Sequence, residues 1–308
     1  MKVLITGGAG FIGSHLTDRL LAAGNEVVVL DNLSTGKREN LPASAPGFEF
    51  LADDIRSLDA ARRGTRGVDA VVHLAAVASV QASIDDPIAT HQTNFDGTLN
   101  LLEAAREQGV RRFLYASSAA VYGDTARLPV SETSSLQPLS PYAADKLAGE
   151  HYLHYYFRKH GLATTAFRFF NIYGPRQDPS SPYSGVISIF VDRVMAGSPI
   201  TVFGDGRQTR DFVYVGDLVA LLSGALGRES LAGMTVNVGT GVECSLLQLI
   251  DALEGLVGRP IPRSHRDARV GDILKSCADV ERLRDCFGSV PSTPIREGLR
   301  ALVAPPAG

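Results

Sequence analysis

Tryptophan is absent from this 308-residue chain, and cysteine is scarce. The three cysteines, Cys244, Cys277 and Cys286, all fall late, and none forms a C-x-x-C pair. That spacing supports neither a disulfide framework nor a zinc knuckle, and it fits a reducing compartment. Charge of one sign is also missing: 30 basic residues face 33 acidic ones. No surface of polyanion-binding character is expected, so nucleic acid is not an expected partner. No apolar run approaches the ~18–20 residues that a membrane span needs. The segment Met1-Lys2-Val3-Leu4-Ile5-Thr6 enters a glycine cluster at once, leaving no room for the apolar core of a signal peptide. A soluble, cytoplasmic protein is the expectation. With 44% hydrophobic side chains the chain has enough apolar material for a sizeable core, which excludes disorder.

The first half alternates short β-branched runs with longer helical patterns. Strands are expected at Lys2–Ile5, Glu26–Leu30, Phe48–Leu51, Asp69–His73, Arg112–Tyr115 and Ala163–Phe167, with helices over Thr98–Arg106 and Ala143–Lys159. Such alternation predicts an α/β fold built on a doubly wound parallel sheet. Beyond Gly174-Pro175 the rhythm is lost and prolines punctuate the chain. The expected organisation is a main α/β domain over 1–174 and a smaller mixed domain over 175–308, some of whose segments return to the main sheet.

Gly7, Gly10 and Gly13 follow the first strand directly and open a helix that starts with Phe11 and Ile12. A pyrophosphate requires such a tight turn, backbone N–H groups that it can approach closely, and a helix N-terminus for positive potential. The second strand ends at Asp31, where a carboxylate accepts from ribose hydroxyls and repels a 2′-phosphate. Strand, glycines, helix and acid in register point to NAD rather than NADP. Lys37 and Arg38 complicate that choice, unless they are solvated loop charges.

Tyr142 and Lys146 stand four residues apart, on one face of the later helix. An ammonium beside a phenol, with the positive nicotinamide, favours the phenolate and makes a base usable near neutral pH. Upstream, Ser118 follows a strand whose C-terminal end faces the expected cofactor, and its hydroxyl can pass on a proton. Glu150, His151 and His154 have helical spacing that approximates a metal face, but no third ligand set completes it and no metal is expected.

On these motifs, with His73-Leu74-Ala75-Ala76, Asn94 and Arg168-Phe169-Phe170-Asn171, the chain resembles the extended short-chain dehydrogenases/reductases, in their nucleotide-sugar 4-epimerase branch. The resemblance runs over nearly the whole length. It implies a catalytic set of Ser118, Tyr142 and Lys146. It implies an NAD site lined by Gly7, Gly10, Phe11, Ile12, Gly13, Asp31, Asn32, Lys37, Asp54, Ile55, Leu74, Ala75, Ala76, Asn94, Tyr142, Lys146 and Phe169. For a UDP-sugar it implies Ser118, Tyr142, Asn171, Thr201, Phe203, Arg210, Arg269, Asp272 and Ser276, the arginines clamping a diphosphate, Asn171 donating to it and Asp272 accepting from ribose. Ser276 stands where the resemblance places a gate for the sugar's 2-substituent. Leu99, Leu102, Tyr152, Tyr155, Tyr156 and Phe157 lie on the two helices that pair between subunits in this family, so a homodimer is expected.

The implied reaction is 4-epimerisation of a UDP-hexose, glucose/galactose type or N-acetylated, through a 4-keto sugar. A UDP-uronate epimerase is the alternative, followed by a 4,6-dehydratase or a non-catalytic NAD-binding protein. Dehydratases and decarboxylases of the fold carry acids directly after the hydroxyl residue. Here Ala119 and Ala120 follow it, and alanine moves no proton.

Overall fold

A computed structural model describes residues 1–125, 127–180, 185–268 and 273–303. The contacts divide the chain into two compact units. The first holds 1–123, 135–169 and 219–236; the second holds 124–134, 170–218 and 237–308. The sequence places the division between 174 and 175; the contacts place it between Phe169 and Phe170, and the chain crosses more than once.

The first unit is built on β1 (Lys2–Thr6), α1 (Phe11–Ala22), β2 (Glu26–Asp31), β3 (Phe48–Ala52), α2 (Leu58–Gly64) and β4 (Ala70–His73). It continues through α3 (Val80–Asp85), α4 (Pro87–His91), a π turn (Gln92–Asp96), α5 (Gly97–Glu107), β5 (Arg112–Ser118), α6 (Pro141–His160) and β6 (Ala163–Phe169). The strand order is β3-β2-β1-β4-β5-β6, with each of these pairs parallel. A seventh strand, β11 (Met234–Val238), joins beyond β6. The order reverses between β1 and β4, and in sheets of this kind the crevice outside the C-terminal strand ends at that reversal is where ligands bind.

Strands β1, β2 and β4 are buried almost throughout, as expected of a sheet covered on both faces. Helix α6 starts where its sequence says it should. The Ser140 hydroxyl accepts from Ala143 N–H, Pro141 occupies the first turn, and Gly161 closes the helix at φ 72°. Its Gly149 lies so close to the Tyr115 hydroxyl that an added Cβ would sit 2.5 Å from it, which seats α6 directly on β5.

The second unit contains β7 (Asn171–Tyr173), α7 (Val186–Met195), β8 (Ile200–Phe203), β9 (Thr209–Arg210) and β10 (Phe212–Tyr214). After α8 (Val215–Ala225) and β11, both shared with the first unit, come β12 (Cys244–Ser245), α9 (Leu246–Val257), β13 (Arg263–Arg266), α10 (Glu281–Phe287) and α11 (Ile295–Val303). Its core joins α7, α9 and α11 around Phe190, Leu249, Ile250, Leu253 and Leu299. Among the described residues no helix is long and apolar enough to cross a membrane.

Candidate active site

The turn after β1 explains its own glycines. Gly7 has φ +70°, and a Cβ there would meet Ala75 N at 2.8 Å; one on Gly13 would strike the Gly7 carbonyl oxygen at 2.2 Å. Both positions therefore exclude any side chain. Gly10 differs. Its Cβ direction meets only the Gly7 oxygen, at 3.2 Å, and no side chain caps the helix that follows, where Phe11 and Ile12 stand. An open approach to an uncapped helix N-terminus is what a pyrophosphate requires. At the end of β2, Asp31 is buried; one carboxylate oxygen accepts from Ala9 N–H (2.9 Å) and the other from Leu33 N–H (2.8 Å). Lone pairs remain for ribose hydroxyls. These residues fit the dinucleotide that the sequence implies.

Beside Asp31 the rim is polar and open. Asp54 accepts from Arg56 through Nε and Nη2 and from Asn32 Nδ2. The Arg56 hydrogen bonds hold its carboxyl down at about 2. Arg38 spends its guanidinium on the carbonyls of Leu41 and Pro42 and stacks over Phe50, while Lys37 is exposed. Arg56 and Arg38 are thus committed to protein groups. Ile55 turns into the core against Gly97.

The floor is dry. Beyond β4, Leu74, Ala75 and Ala76 are partly buried, and Asn94 in the π turn is spent on Val77, accepting from its N–H (2.7 Å) and donating to its carbonyl (3.1 Å). Asn94 therefore shapes the loop. A directional chain of hydrogen bonds runs beneath it. Thr98 donates to the Asn94 carbonyl (2.6 Å), so it accepts from His73 Nε2–H (2.9 Å). His73 Nδ1 then accepts from the Thr6 hydroxyl (2.7 Å), whose oxygen accepts from Ala75 N–H (3.3 Å). Burial, assisted by the charge of Lys146, holds His73 down at about 3, so the ring is neutral.

The strand end of β5 and the first turns of α6 bring Ser118, Tyr142 and Lys146 together. Lys146 Nζ donates to the Ala116 carbonyl (2.8 Å) and lies 5.8 Å from the Tyr142 ring centre and 4.9 Å from that of Tyr115. Burial pulls its ammonium down to about 8. At Tyr142 two influences oppose one another. Removal from water pushes its phenol up, and the Ser118 hydroxyl, hydrogen-bonded to it, pulls only partly back. The sequence expectation sets the neighbouring ammonium and the positive nicotinamide against that cost. Phe169, ending β6, is buried.

In the second unit Asn171 donates through N and Nδ2 to the Asp211 carbonyl, so part of the amide meant for a diphosphate is engaged. Thr201 and Phe203 lie on β8, both partly buried. Arg210 donates from Nη1 to the carbonyls of Thr209 and Ile273. Asp211 accepts from Thr240, Gly241 and Ala278 and so ties together the backbone beside Arg210 and Ser276. Arg269 and Asp272 lie outside the described residues.

Residues 3–239 match the NAD dependent epimerase/dehydratase family. The chain belongs to that family. Over 309 residues it is 43% identical to a UDP-glucose 4-epimerase of Mycolicibacterium smegmatis, covering 98% of this chain and 97% of that one. The UDP-N-acetylglucosamine 4-epimerase of Methanobrevibacter ruminantium, solved with UDP-N-acetylmuramic acid, superposes with TM-score 0.94 at 35% identity, covering 98% and 96% of the two chains. The UDP-glucose 4-epimerase of Thermus thermophilus, solved with NAD, superposes with TM-score 0.90 at 41% identity, covering 98% of each.

The family name spans epimerases and dehydratases, so the residues after Ser118 carry weight. Ala119 and Ala120 open a short 3₁₀ turn whose Ala120 N–H is capped by the Ser118 hydroxyl (3.2 Å), with no titratable side chain at either position. Sequence reasoning missed the buried group behind Ser118. Glu150 accepts from Ser117 and takes a bidentate pair from Arg168, whose guanidinium also donates to Tyr122 (2.9 Å) and stacks on its ring. Glu150 thus points inward, whereas His151 and His154 are exposed, and the three share no metal face. The available signal was Glu150 four residues after Lys146, the spacing that places both on one face.

Proposed function

We propose that this family member is a UDP-hexose 4-epimerase that uses NAD. The observation that carries the reading is the Ser118/Tyr142/Lys146 set followed by two alanines: groups for one proton and one hydride, and none for a further elimination. Gly7, Gly10, Phe11, Ile12, Gly13 and Asp31 hold the cofactor, with Asn32, Lys37 and Asp54 at its open end and Leu74, Ala75, Ala76 and Phe169 along it. NAD+ held there would supply the hydride acceptor, and then the hydride donor, for the sugar C4. Tyr142 takes the proton of the sugar 4-hydroxyl, with Ser118 hydrogen-bonded to the same oxygen, and gives it back to the 4-keto oxygen. Lys146 holds positive charge beside the phenol. Asn171, Thr201, Phe203, Arg210, Arg269 and Asp272 hold the nucleotide diphosphate, leaving the sugar free to present its other face.

The test is NMR and mass analysis of products from UDP-glucose, UDP-N-acetylglucosamine and UDP-glucuronate incubated with protein and NAD. A stereoisomer of unchanged mass is expected. A product lighter by water or carbon dioxide sinks the assignment. Ser276 leaves room for a 2-acetamido group, so UDP-N-acetylhexosamines are expected substrates and Ser276→Tyr is expected to remove that activity selectively; equal slowing on both sugars would refute the gate.

The same reading makes the protein a cytoplasmic homodimer. Tyr152 and Tyr155 on α6 are exposed, and so are Val80 and Ile84 on α3 and Ile88 on α4, two helices packed against α6; a second copy would cover these side chains. Leu102 and Tyr156, expected on that face, are instead buried in the chain's own core.

A further inference from the structure

Tyr142, Asp145 and Lys146 share one turn of α6. Asp145 is only 6% exposed, a carboxylate where ionised groups need partners. One oxygen accepts from His91 Nδ1 at 2.7 Å. That ring comes from the end of α4, stacks on Phe95 at 5.1 Å and is half exposed, so the hydrogen bond is delivered from the surface. The other oxygen, Oδ2, is buried with no hydrogen-bond partner among the described residues, and the same is true of the Tyr115 hydroxyl above Gly149.

A buried carboxylate with one oxygen unpartnered gains from a cation nearby. Arg168 is consumed by Glu150, and His73 is neutral. Glu103 on α5 is paired with Arg106 and Tyr156, and Asp85 on α3 accepts from Gln81. Asp96 faces the other nitrogen of His91 at 4.0 Å. Apart from His91 itself, the cation left among these groups is Lys146. Adjacent helix positions diverge by about 100°, and Nζ is turned to the Ala116 carbonyl, so the two charges interact through space rather than by a hydrogen bond. We propose that Asp145, pinned from the surface by His91, is a positioning residue that keeps Lys146 an ammonium on the dry floor of the site. Burial lowers the lysine, and the Asp145 charge opposes that fall.

The inference rests on the reading of Lys146 as the partner of Tyr142, and the experiment separates the two. The full chain, labelled with ¹⁵Nζ-lysine, is titrated by NMR as wild type, Asp145→Asn and Asp145→Glu, the Lys146 signal being identified by its loss in Lys146→Met. In Asp145→Asn the lysine midpoint is expected at lower pH, and Asp145→Glu restores it. In parallel, kcat of Asp145→Asn equals wild type at pH 6 and falls about fivefold at pH 8, as expected for a lost opposite charge. Asp145→Ser, smaller and neutral, replaces Asp145→Asn if the latter does not fold. An unmoved lysine midpoint overturns the proposal whatever kcat does. A moved midpoint with an unchanged kcat profile upholds the proposal and removes Lys146 from the mechanism.

Discussion

The open rim and the dry floor of the first unit hold the same kinds of groups under opposite rules. At the rim, where β2 and β3 end, Asp54 is partly exposed, and hydrogen bonds from Arg56 and Asn32 drive its carboxyl down. On the floor, between β4, β5 and α6, burial is the first cause for His73, Tyr142 and Lys146, and in each case it favours the neutral form. Water screens the rim, so its charges are cheap to hold and loosely constrained; the floor lacks that screening, so each proton there has an assigned place.

The contrast is sharpest at the phenol. Tyr142→Phe is expected to lower kcat by about 10²- to 10⁴-fold with NAD affinity near wild type, measured by steady-state kinetics and fluorescence titration. Near-normal turnover would remove the floor from the chemistry. Next comes the buried ion pair. Glu150→Ala strands Arg168 and is expected to cost about 3–5 kcal/mol of stability, read from urea midpoints; a change of the rim's size would mean that the floor is wetter than described.

His73 gives a pH signature. Unfolded, a histidine binds its proton below about 6.5, whereas the folded ring refuses it until about 3. Between those values the unfolded chain binds more protons, so stability falls as pH falls, by about 2 kcal/mol at pH 5. In His73→Gln that part of the acid slope should vanish, by urea melts at pH 7 and pH 5. The smallest effect belongs to the rim: Arg56→Ala removes an ion pair whose side chains are 50% and 25% exposed and should change stability by less than about 1 kcal/mol.

What could be read from the sequence follows the range of the interactions. The glycine turn, Asp31, the strands and the caps of α6 are local, because each is fixed by residues within a turn or a strand, and periodicity or spacing exposes them. The six expected strands appear within one to three residues of their observed ends. The Glu150–Arg168–Ser117 group, the His73 chain and the Asp211 ties join residues far apart in sequence, and no spacing announces them. The π turn that aims Asn94 is invisible for another reason: it is a helical segment wound one residue wide, and its composition is that of an ordinary helix. The loss of water at the Tyr142 phenol is likewise not legible, because spacing reports neighbours and not burial.

The chain from Asn94 through Thr98, His73 and Thr6 to Ala75 also makes the molecule its own reporter. The His73 ring N–H is buried and bonded to Thr98, so it exchanges with solvent only when β1 and β4 part at their carboxyl ends. In a proton spectrum it should stand as a resolved downfield line, and its exchange lifetime would clock the opening of that floor without any added label.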